Sequence, residues 1–239
     1  METKDRIIIP IDTDGIFKAI NTVNTLRSHV GMFKFGLEII TSIVAQIAIT
    51  GDISLAGKVK ELFSSVEGQL FWDGKWADIP NTVGNAALAL QPISPKFINI
   101  HASCGIPAIK AVVENKGSSQ VLGVTVLTSI DSPNCISIFG DEPGIKVVEF
   151  ANFLIDAGAD GIICSPQELN LLKGIPLIKI TPGVRPLWAA VNNQKRVMAP
   201  REAVDAGADY LVIGRPITNP PNGMTPQEAV EKIIKELEA

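Results

Sequence analysis

The sequence predicts an α/β protein, one (β/α)8 barrel spanning residues 1–239, and three observations lead there. Short apolar runs recur about every 25 to 35 residues, too short for helices and rich in Ile and Val. Segments with apolar residues at three- and four-residue spacing lie between nearly all of them. One helix–Gly–strand joint is used twice, as "DAGADGIICS" (156–165) and "DAGADYLVIGR" (205–215). In each, the Gly permits a sharp exit from a helix into the next strand.

The runs, in order, are "RIIIPID" (6–12), "MFKFG" (32–36), "QLFWD" (69–73) and "FINIH" (97–101), then "VLGVTVL" (121–127), "GIICS" (161–165), "LIKIT" (177–181) and "YLVIG" (210–214). Most lack polar alternation, as strands buried on both faces of a parallel sheet do. "GIFKAINTVNTLRSH" and "GIKVVEFANFLIDAGA" read as amphipathic helices. "EIITSIVAQIAITG" reads as a buried helix, too short to span a membrane. The closing "TPQEAVEKIIKELEA" has Thr225 as N-cap, Pro226 at the first helical position and Glu228 three residues after the cap. A doubly wound open sheet is the rival, but no GxGxxG follows the first strand, and eight even units suit closure.

Composition narrows the function classes. The chain is 46% hydrophobic with a net charge of −4, so it can bury a large core and offers no basic surface for nucleic acid. Mixed charges in "METKDRIIIPID" argue against a signal peptide, and no apolar stretch reaches membrane-span length. Cys104, Cys135 and Cys164 are odd in number and lack CxxC spacing, which argues against a disulfide framework or a zinc site. A cytoplasmic protein is the economical reading.

Barrels of this kind place function at the C-terminal ends of their strands. Asp12 ends the first run, Lys34 lies in the second, and Asp73 with Lys75 ends the third. His101 ends the fourth, Thr128 follows the fifth and Ser165 ends the sixth, while "TPG" and "GR" close the last two. In "TPGVR", Gly183 leaves room beside Arg185; in "IGRPI", Gly214 offers its backbone beside the Arg215 guanidinium. Both suit phosphate, which barrels often hold after strands seven and eight. Between them "RPLWAAVNNQKRVMAP" is a polar loop long enough to cover a ligand, with Gln194 and Arg196 as donors.

The stretch "LFWDGKWADIPNT" (70–82) ends an apolar strand in Asp73, Lys75 and Asp78. Residues two apart on a strand share a side, so Asp73 and Lys75 face one pocket. Asp78 lies beyond the strand, before a helix starting at Pro80. As an ion pair alone these charges are redundant, because Lys34 and Asp12 point at the same mouth.

"DGKWADIPNT" resembles the DxKxxDIxNT signature of the orotidine 5′-phosphate decarboxylase family. "IDTD", "FKFGLE", "VTVLTS", "TPGVR", "NNQKR" and "VIGRPIT" are similar to that family's other segments, in order and nearly end to end. The resemblance implies decarboxylation of orotidine 5′-monophosphate to UMP, the last step of pyrimidine synthesis, without metal or organic cofactor. It implies that Lys75 protonates C6 of the pyrimidine within a Lys34, Asp73, Lys75 and Asp78 network. It also implies a homodimer whose partner chain supplies Asp78 and Thr82. Asp12 and Lys34 would contact the ribose, Thr128 the pyrimidine, and Gln194 both base and phosphate. Arg185, Gly214 and Arg215 would line the phosphate end. Sister activities on this barrel, keto-gulonate-phosphate decarboxylase and hexulose-phosphate synthase, use a metal-bound enediolate and carry Glu where this chain has Lys34. A catalytically silent phosphate-binding barrel would not need Lys75, Asp73 and Asp78 intact. The chain departs from the usual pattern at Trp76, at Trp188 and at Ala199, where a capping Thr is absent.

Overall fold

The computed structural model describes residues 1–51, 53–189 and 198–239. Eight parallel strands close on themselves in sequence order: β1 (Ile7–Pro10), β2 (Met32–Phe35), β3 (Leu70–Trp76), β4 (Phe97–His101), β5 (Gln120–Val124), β6 (Gly161–Ile163), β7 (Ile178–Pro182) and β8 (Tyr210–Val212). The helices between them are α1 (Ile16–Leu26), α2 (Leu37–Thr50), α3 (Ile53–Ser65), α4 (Pro80–Leu90), α5 (Ile106–Asn115), α6 (Ser132–Phe139) and α7 (Pro143–Ala157). After β7 come α8 (Pro200–Asp205), α9 (Arg215–Thr218) and the closing α10 (Pro226–Glu238).

Strand alternation sorts the apolar residues into two layers. Ile8, Met32, Phe71, Phe97, Leu122 and Ile180 point inward and fill the barrel. Their neighbours Ile7, Ile9, Phe33, Phe35, Ile98 and Ile100 point outward, under the helices. Both faces are buried, which is why the runs lack polar alternation.

All eight sequence-predicted strands are present, with altered ends. The first, fifth, sixth and eighth stop two or three residues early, at Pro10, Val124, Ile163 and Val212. The residues released there, from Ile11, Thr125, Cys164 and Ile213 onward, form the rim. The third runs three residues further than expected, to Trp76.

The repeated joint is one structure made twice. Gly158 ends α7 at φ 76°, and Gly207 follows α8 at φ 109°, backbone that favours glycine. The amides of Ala159 and Ala208 then bond back to the carbonyls of Leu154 and Ala203, both at 2.9 Å. Thr225 caps α10 as expected, its Oγ1 accepting the Glu228 N–H while Glu228 Oε2 accepts the Thr225 N–H at 2.8 Å. Ala199 precedes α8 without a side-chain cap, but Glu202 Oε2 still accepts the Ala199 N–H at 3.0 Å. The expectation of a buried α2 needs correction. Ile39 and Ile43 are buried, whereas Val44 and Ile49 are exposed, because only one face of α2 meets the barrel. Among the described residues no helix is long and apolar enough to cross a membrane.

Candidate active site

A cavity of about 410 Å³ opens at the C-terminal ends of the strands. Phe71, Ile163, Ile180 and Val212 belong to the barrel's inner layer and form its apolar floor. Eight of the sequence-predicted site residues line it: Asp12, Lys34, Asp73, Lys75, Thr128, Arg185, Gly214 and Arg215. Gly183 and Ser165 join them.

Asp73 is the centre of the charged cluster. Strand alternation aims it inward, directly above Phe71, and only 3% of its side chain is exposed. Its Oδ2 accepts Lys34 Nζ at 2.7 Å and Lys75 Nζ at 2.6 Å. Lys34 arrives from β2, where it lies beside Pro10 on one side and Phe71 on the other. The same ammonium is 3.9 Å from Asp12 Oδ1. Burial alone would raise the Asp73 carboxyl, but the two ammoniums and their hydrogen bonds outweigh it and hold it below its ordinary value.

Asp73 and Lys75 do meet in one pocket, though regular alternation is not what brings Lys75 there. Trp72 pairs with Ile98 and Trp76 with Ile100, so Asp73, Gly74 and Lys75 stand opposite one residue of β4, Asn99. The excess length forms a bulge, and Lys75 takes a left-handed backbone at φ 47°, uncommon for a residue with a side chain. Gly74 is required by close approach: a Cβ there would lie 2.9 Å from Trp76 Nε1 and 3.0 Å from Trp72 Nε1. Trp76 therefore packs over a bare backbone.

Asn99 is the functional candidate that the sequence reading missed. It is fully buried, its Nδ2 donates to Asp73 Oδ1 at 2.6 Å, and its Oδ1 accepts the Lys75 N–H at 2.7 Å. The signal was present in "FINIH", as an amide at an inward position of an otherwise apolar run. His101, two residues on, is half-buried. Burial lowers its pKa, nearby Lys75 adds to that effect, and Asp73 opposes it. Among the described residues its ring makes no hydrogen bond.

The opposite side of the mouth carries the arginines. Arg185, 7% exposed, follows β7, and its amide bonds to the Met198 carbonyl at 3.0 Å. Burial lowers its pKa, and the like charge of Arg215 adds to that. Two guanidiniums set around one cavity make this side of it suited to an anion. Ser165, by contrast, has a local task. Its Oγ accepts the Gln167 N–H and its N–H bonds to Glu168 Oε2 at 2.7 Å, capping the short 3-10 helix Pro166–Leu172.

Two predicted residues do not reach this cavity. Asp78 is exposed, with Oδ1 accepting the Ile79 N–H at 2.7 Å just before α4, and Thr82 is exposed on the first turn of that helix. Gln194 and Arg196 lie outside the described residues.

The chain is similar to known proteins over nearly its whole length. The model of the "Orotidine 5'-phosphate decarboxylase / HUMPS family" matches residues 5–233. An orotidine 5′-phosphate decarboxylase of Heliobacterium modesticaldum is 37% identical over 255 residues, covering 99% of this chain and 97% of that protein. One from Geotalea daltonii is 36% identical, covering 100% of this chain and 98% of its own. The crystal structure of orotidine 5′-phosphate decarboxylase from Lactobacillus acidophilus superposes with a TM-score of 0.73 at 29% identity, over 98% of this chain and 99% of that one.

Proposed function

The chain belongs to the orotidine 5′-phosphate decarboxylase / HUMPS family, and we propose that Lys75 carries the key proton as it decarboxylates orotidine 5′-monophosphate to UMP and CO2. This is a lyase reaction of pyrimidine synthesis. The supporting observation is the pair of ammoniums, Lys34 and Lys75, both within 2.7 Å of one buried carboxylate oxygen at the cavity mouth. No structural need explains two cations on one oxygen there.

Loss of CO2 from C6 leaves a carbanion with no adjacent electron sink, so fixed charge must stabilise it. One ammonium at roughly 4 Å, with an effective dielectric of about 20, contributes on the order of 4 kcal/mol. That is about a thousandfold in rate. Lys75 is that ammonium, and it then gives its proton to C6. Asp73 holds Lys75 and Lys34 in place and faces the departing carboxylate. Asp12 and Lys34 bind the ribose and Thr128 the pyrimidine. Arg185, Arg215 and the bare backbone at Gly214 take the phosphate, with Gln194 bridging base and phosphate. Binding energy from this remote grip goes into orienting the reacting carbon.

The working unit in this reading is a cytoplasmic homodimer in which residues 1–239 act as one barrel domain. Asp78 and Thr82, exposed beside their own cavity, complete the site of the partner subunit. Exposed Ile79, just before α4, and Leu88, on that helix, give the contact an apolar component.

The orotate ultraviolet band should disappear when the protein meets orotidine 5′-monophosphate in excess chelator. It should persist with Lys75→Ala. Turnover that depends strictly on added magnesium would support the sister enediolate activities instead. For the shared site, inactive Lys75→Ala and Asp78→Ala proteins should regain activity on mixing. No recovery despite demonstrated subunit exchange would refute it.

A further inference from the structure

We propose that Asn99 is a positioning residue that shapes the catalytic bulge of β3, resting on the decarboxylase reading above. The argument begins with hydrogen-bond accounting. Asp73, Gly74 and Lys75 face one residue of β4, so the regular ladder cannot be completed there. The Asn99 side chain stands in for it, accepting the Lys75 N–H at 2.7 Å. That bond fixes the left-handed turn at Lys75, φ 47°, a conformation that persists only when its surroundings impose it.

The same amide donates to Asp73 Oδ1 at 2.6 Å. Asp73 Oδ2 is already taken by the two lysines, so the amide occupies the remaining oxygen and sets the carboxylate plane. One buried side chain thus fixes both ends of the Asp73–Lys75 pair: the acid through its oxygen, the base through its backbone. An apolar side chain here would leave a buried N–H and a carboxylate oxygen without their partner. Carboxylic acid is the informative replacement. Protonated, it donates and accepts as the amide does; ionised, it can only accept, and it faces Asp73 with like charge.

The charged groups around this position are Asp73 and Lys75 on β3, Lys34 on β2, Asp12 beyond β1 and His101 on β4 itself. The facing residue of β5 is Leu122.

The test compares Asn99→Leu and Asn99→Asp with the parent, measuring kcat, its pH profile and UMP affinity. Asn99→Leu should lower kcat roughly 10- to 100-fold, the scale of about 1 Å of misplacement, while UMP affinity changes less than about threefold. Asn99→Asp should recover activity relative to the parent as pH falls from 8 to 5.5, because the introduced carboxyl regains its donor, whereas the parent amide does not titrate. Should Asn99→Leu fail to fold, the slope of the Asn99→Asp profile decides alone. Parent-like kcat and pH profile in the folded variants overturn the proposal. So does a loss of UMP affinity equal to the loss of kcat. A parent without turnover would count against the decarboxylase reading, a different failure.

Discussion

Asp73 and Asp160 are both partly or wholly buried carboxylates beside a lysine at a strand end, yet they sit at opposite ends of the barrel and do different things. Asp160 precedes β6 on the floor, where its Oδ2 accepts the Val121 N–H at 2.8 Å and Lys116 Nζ at 2.6 Å. Asp209, in the second copy of the same joint, accepts the Lys179 N–H at 2.8 Å. Each floor acid spends its charge on a neighbouring strand's backbone and so holds register. Among the described residues, the Asp73 carboxylate bonds no backbone group. Its partners are the side chains of Lys34, Lys75 and Asn99. The floor carboxylates serve the ladder, whereas Asp73 gathers side chains at the cavity, as the proposed chemistry requires.

The comparison predicts separable failures. The largest is Lys75→Ala, which should cost at least about a thousandfold in turnover and little in stability, read by kcat beside a urea midpoint. Next, Asp160→Ala and Asp209→Ala should each leave a strand N–H without its acceptor and cost about 1–3 kcal/mol of stability. Their kcat should stay within about twofold, since both lie a barrel's length from the mouth. Loss of turnover without loss of stability in either floor variant would break the distinction. The smallest effect concerns His101. Its pKa is lowered in the folded state, so the native protein prefers the neutral ring. That contribution to stability is present above the ordinary value of 6.5 and is lost as pH falls through the lowered one. His101→Asn should therefore flatten the fall in stability between pH 7.5 and 5.5, with kcat at pH 7.5 little changed.

The two ends of the barrel were also unequally legible. Every strand and the repeated joints followed from Ile- and Val-rich runs and from Gly placement, which are local signals. Asp12, Lys34, Asp73, Lys75 and the two arginines followed from being polar at predicted strand ends. What escaped was the bulge. "DGKW" reads as alternation, and nothing within those four residues reveals that β4 supplies a single partner for three of them. Asn99 escaped for the same reason, since its importance depends on a register between strands more than twenty residues apart. The exposed face of α2 escaped because hydropathy reports what a helix can bury, not whether a neighbour is there to cover it.

The indoles that bracket Gly74 have an optical consequence. The chain contains three tryptophans, and Trp72 and Trp76 flank the bulge while Trp188 follows Arg185 by three residues. No indole elsewhere dilutes their emission. Tryptophan emission therefore reports on the two sides of the β3 bulge and on the segment just after Arg185, and a ligand that shifts either should change it without a label.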